Sequence, residues 1–94
     1  MFLPYVQEKN DMSDNLSSKQ KAYMLIRIQP GTESEFYGEL KKLPNIIGID
    51  LVHGPYDFVV VAEGSASDID HVLLRIRKIP HIISTETMTA FTLS

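Results

Sequence analysis

Polar residues run almost unbroken from Gln7 to Lys21 (QEKNDMSDNLSSKQK), interrupted only by Met12 and Leu16. Two apolar side chains cannot anchor a helix face, so residues 1–21 read as a flexible N-terminal tail. Met12-Ser13 also reads as an alternative start. From Ala22 the pattern changes, and residues 22–94 read as one folded domain. Ala22 to Gln29 is strand-like and is stopped by Pro30-Gly31. Thr32 and Glu35 have the spacing of a capping box, and Phe36, Leu40 and Leu43 follow at helical spacing until Pro44-Asn45.

Ile46 to His53 forms the next strand, with Ile47, Ile49 and Leu51 expected on one face. Gly54 to Asp57 is a turn. Phe58 to Glu63 is apolar on both faces, the mark of a strand central in its sheet. Gly64 to Asp68 reads as a loop and helix start. Ile69, Val72, Leu73, Ile76 and Ile79 then make an amphipathic stripe that Pro80 ends. Ile82 to Leu93 is the last strand.

The order is βαββαβ. A faint repeat supports it: Lys42-Leu43-Pro44-Asn45-Ile46-Ile47 matches Lys78-Ile79-Pro80-His81-Ile82-Ile83, each between a helix and the next strand. Two such units make an α+β, ferredoxin-like sandwich with both helices on one face of a four-stranded antiparallel sheet. The other face would carry Tyr23, Leu25, Val59 and Val61. That is too apolar to stand in water as a large patch, so a twofold dimer, sheet against sheet, is expected.

Composition narrows the function. Cysteine is absent, which removes disulfides, zinc–thiolate sites and thiol catalysis. The longest apolar run, Phe58 to Ala62, is far too short to cross a membrane, and the N-terminus lacks the features of a signal peptide. A cytoplasmic protein without a membrane partner is the simplest reading. A net charge of −3 opposes a grip on phosphate backbones, so no direct nucleic-acid contact is expected. The βαββαβ order is shared with RNA-recognition modules. Here, however, His53 stands where their aromatic strand motif leads with Lys or Arg, and Asp57 interrupts the stacking platform. The three histidines lie in different elements, with no metal-ligand spacing, and no nucleophile or phosphate-loop motif occurs. The chain is read as a non-enzyme without cofactor or metal.

Two segments can carry recognition chemistry. In the turn, Gly54 permits close approach to the backbone, Tyr56 offers an aromatic wall and a hydroxyl, and Asp57 can accept from N–H groups or an ammonium. A plain hairpin turn capped by Asp57 accounts for the same residues. In the last strand Thr85, Thr87 and Thr89 share one face, a row of hydroxyls for a small polar ligand; β-propensity alone accounts for it equally.

Together these pieces resemble a known family. Ala22 to Phe91 is similar to the effector-binding (RAM) domain of the leucine-responsive/asparagine-responsive (Lrp/AsnC) transcription regulators. The resemblance rests on four pieces: the strand ending in Pro30-Gly31; Lys42-Leu43-Pro44; His53-Gly54-Pro55-Tyr56-Asp57; and Leu74 to Pro80 followed by Ser84-Thr85-Glu86-Thr87. It implies a dimeric α/β barrel, assembled further into rings of eight or ten chains. It also implies a small effector, usually an amino acid, held by His53, Gly54, Tyr56, Asp57, Ser84, Thr85 and Thr87. Those regulators carry an N-terminal helix-turn-helix, which residues 1–21 cannot supply. The resemblance therefore implies an effector module able to partner a full-length regulator. Two other classes share the architecture: a dimeric-barrel enzyme of the cofactor-independent oxygenase type, and a purely protein-binding assembly domain.

Overall fold

Alternation along the first strand decides which side of the sheet is the core. In a computed structural model that describes residues 20–91, Ala22, Met24, Ile26 and Ile28 are at most 3% exposed, whereas Tyr23 and Leu25 between them are half-buried. The elements are β1 (Gln20–Ile28), α1 (Glu33–Leu40), β2 (Ile46–Leu51), β3 (Phe58–Gly64), α2 (Ala66–Arg77) and β4 (Ile82–Ala90). The strands form one antiparallel sheet in the order β2-β3-β1-β4. This is the ferredoxin-like βαββαβ arrangement, with β3 central as its doubly apolar sequence requires.

Both helices supply the core side. Phe36 and Leu40 of α1 and Ile69, Val72, Leu73 and Ile76 of α2 are buried with the inward residues of β1 and β3. The Phe36 and Phe58 rings lie 5.3 Å apart at 44°, a tilted aromatic pair. Leu43, Ile46, Ile49, Ile79 and Ile82 close the margin of this cluster.

Several boundaries differ from the pattern reading. β1 starts at Gln20, so Gln20 and Lys21 belong to the strand; the remainder of the polar tail, with Met12, lies outside the described residues. The second strand stops at Leu51, short of His53, and β4 stops at Ala90. The register between β2 and β3 shifts between Ile46 and Gly48. That irregularity puts Ile46, rather than Ile47, with Ile49 on the core, and leaves Ile47 exposed. The Thr32 capping box does not form. Thr32 has φ −106° and ψ 12°, and its hydroxyl turns back to donate to the Gln29 carbonyl at 2.7 Å. The box forms instead on α2. Ser65 Oγ accepts from the Asp68 N–H at 3.1 Å, and Asp68 Oδ2 accepts from the Ser65 N–H at 3.2 Å.

The internal repeat has a backbone cause. Asn45 and His81 occupy equivalent places after Pro44 and Pro80, and both adopt positive φ, 67° and 81°. Each helix thus leaves through a left-handed residue that turns the chain into the next strand. The described residues contain no helix long and apolar enough to cross a membrane.

Candidate functional site

The β2–β3 connection is built around Asp57. The Asp57 N–H donates to the Ile26 carbonyl at 2.8 Å, and the Asp57 carbonyl accepts from the Val52 N–H at 2.8 Å. Its side chain reaches farther: Oδ2 accepts the Ile28 N–H at 2.9 Å. One residue therefore closes the loop and extends the β3–β1 ladder beyond Phe58. The second carboxylate oxygen, Oδ1, is left over from this work.

His53, Gly54 and Pro55 are exposed at the loop tip. Gly54 has φ +136°, and nothing lies within 4 Å of where a Cβ would stand, so its backbone is open to a visitor. Among the described residues, the N–H groups of His53, Gly54 and Tyr56 make no hydrogen bond. They are donors at the surface beside a carboxylate.

Tyr56 carries the loop across the sheet. Its hydroxyl donates to Glu86 Oε1 on β4 at 2.5 Å. Glu86 is in register with Leu25, which also faces Val59, so the contact lies on the helix-free side. That bond to the carboxylate, aided by desolvation and by the Glu86 charge, raises the Tyr56 pKa above its ordinary 10.0, against the opposing pull of Arg27. Ser84 is in register with Arg27 and belongs to the same face.

The threonines are elsewhere. Thr85 pairs with Ile26 and Thr87 with Met24, both buried beneath the helices. Arg77 of α2 reaches Thr87, its Nη2 3.4 Å from Oγ1. Within one chain the structure therefore gathers the His53–Asp57 loop with Glu86, and places Ser84 on that face. Thr85 and Thr87 point to the opposite one. Glu86 and Arg27 were missed by the sequence reading. Glu86 lies thirty residues from Tyr56, and only the β1–β4 register aligns them. No group of three or more His, Cys, Asp or Glu placed to hold a metal occurs among the described residues.

The family profile for the Lrp/AsnC ligand binding domain matches residues 21–92, nearly all of the described chain. The chain belongs to the Lrp/AsnC ligand-binding domain family. Solved structures agree. FFRP-DM1 is 33% identical, with a TM-score of 0.69, and the match covers 76% of this chain and 97% of that one. The hypothetical protein PHS023 from Pyrococcus horikoshii is 32% identical, with a TM-score of 0.71 and coverage of 79% and 92%. A longer protein, the transcriptional regulator NMB0573 from Neisseria meningitidis solved as an L-Met complex, shares the fold. It is 15% identical, with a TM-score of 0.69, and the match covers 94% of this chain and 58% of that one. No curated protein matches the chain. The matched profile is that of a ligand binding domain, and the His53–Asp57 loop lies inside the matched region.

Proposed function

We propose that this chain is a non-catalytic effector-binding module that takes an amino acid at the His53–Asp57 loop. The carrying observation is the loop's chemistry: N–H donors at His53, Gly54 and Tyr56 and the Oδ1 of Asp57, none with a hydrogen-bond partner among the described residues. A zwitterion needs donors for its carboxylate and an acceptor for its ammonium, and the two kinds of group sit within four residues. Glu86, held by Tyr56, adds a second acceptor. The L-Met complex of the Neisseria meningitidis regulator supports this ligand class.

In this reading the module works in the cytoplasm as an oligomer. Tyr23, Leu25, Val59 and Val61 meet a second copy across the helix-free face, giving a dimeric α/β barrel. Dimers then join into an octameric or decameric ring. Thr85 and Thr87 face away from their own loop, so they serve a ligand held by a neighbouring chain. In the same reading a full-length regulator of the family partners it through these surfaces.

A thermal-shift screen against the twenty amino acids, with mass by light scattering in parallel, tests the proposal. A ligand at 100 times its Kd stabilises by about 2.7 kcal/mol. One selective shift, weakened by Glu86→Gln and abolished by Tyr56→Ala, is expected. An intact oligomer with no shift across the panel would overturn the amino-acid reading and favour a purely protein-binding role.

A further inference from the structure

The outer face of α2 carries a cluster that neither the fold nor the effector loop uses. His71, Arg75 and Lys78 follow at i, i+4 and i+7, so they stand in one row along the helix. All three are exposed. They line a surface groove of about 460 Å³, together with Asn45 and the apolar Leu74. Arg75 and Lys78 also line an adjoining hollow of about 280 Å³, whose other wall includes Lys42. The two full cations therefore stand on the ridge between two cavities.

Among the described residues neither Arg75 nor Lys78 makes an ion pair. Of the acids that line the two cavities, Glu39 pairs with Lys42 at 3.2 Å, and Asp68 gives one carboxylate oxygen to the α2 capping box. The helix dipole accounts for cations in the last turn of α2. It does not account for two cations, without an ion pair among the described residues, sharing cavity walls on a chain whose net charge is −3.

We propose that this groove binds a small phosphorylated molecule. A guanidinium fork and a neighbouring ammonium match the oxygens and multiple charge of a di- or triphosphate better than a single carboxylate. The groove's volume falls within the range of small-molecule sites, and Leu74, about half exposed, offers an apolar contact for the ligand's body. Asn45 already donates its amide to the Glu63 carbonyl and holds the groove's edge. The site lies on the helix side and is independent of the Tyr56 loop on the helix-free side.

Inorganic pyrophosphate is the probe, followed by amide chemical shifts of the full chain at 150 mM salt. Saturable shifts confined to residues around His71, Arg75 and Lys78 are expected. The double variant Arg75→Gln, Lys78→Gln should weaken binding at least tenfold with the fold unchanged by circular dichroism. Lys41→Gln, removing an exposed cation that stacks on Tyr37 instead, should leave it unchanged. Scattered, non-saturating shifts, equal loss in the Lys41 variant, or citrate binding as tightly as pyrophosphate would each overturn the assignment.

Discussion

The Asp57 carboxylate accepts the Ile28 N–H at 2.9 Å, joining the loop before β3 to the last residue of β1. The residue proposed to receive a ligand ammonium is thus also a structural one. Asp57→Ala leaves a part-buried N–H without its partner, and a loss of about 1–3 kcal/mol is expected. Asp57→Asn, which keeps an acceptor oxygen, should recover most of it. Urea denaturation at pH 7 checks both. A ligand-binding assay on Asp57→Ala has to be read against this loss.

Tyr56 should ionise above the ordinary tyrosine range, because its hydroxyl donates to the Glu86 carboxylate. The folded state holds that proton more tightly than the unfolded chain. The bond's contribution is therefore complete below pH 10 and lost as pH rises through the raised pKa. Ultraviolet titration of wild type and Glu86→Gln gives the test. One tyrosine should titrate at lower pH in the variant; superimposable curves would mean that the bond does not form in solution.

Gly64→Ala should destabilise by about 1–3 kcal/mol. The backbone there has φ +155°, and a Cβ would stand 2.9 Å from Asp68 Cβ and 3.0 Å from Asn45 Nδ2. Both neighbours are committed, Asp68 to the α2 cap and Asn45 to the Glu63 carbonyl. Thermal unfolding of the variant against Gly31→Ala, where nothing lies within 4 Å, separates the clash from the backbone effect.

Leu25→Lys places a charge at the middle of the helix-free face, beside Val59 and Glu86. If that face meets a second copy, light scattering should fall to the mass of one chain while circular dichroism stays unchanged. An unaltered oligomer would move the interface elsewhere on the surface.

Much of the fold was legible because its causes are local. The Ala22-Met24-Ile26-Ile28 alternation, the doubly apolar Phe58–Gly64 strand and the Ile69–Ile76 stripe each follow from a repeat that neighbouring residues alone define. The paired Pro44-Asn45 and Pro80-His81 exits were visible as an echo, and their left-handed backbone explains it. Where the reading missed, competing hydrogen bonds or sheet register intervened. The Thr32 hydroxyl found Gln29 instead of its helix, and the irregularity near Ile47 exchanged it for Ile46 on the core.

The sequence by itself determined the element order, the buried face and the family, and offered the loop as a candidate for recognition. Tertiary structure decided which of the candidate residues stand together. Period-two alternation tells that Thr85 and Thr87 share a face, but only the register with Ile26 and Met24 tells that it is the helix side. The same register brings Glu86 to Tyr56. Spacing along a chain fixes relative direction, whereas contact between distant residues depends on how strands are aligned, which no local pattern encodes.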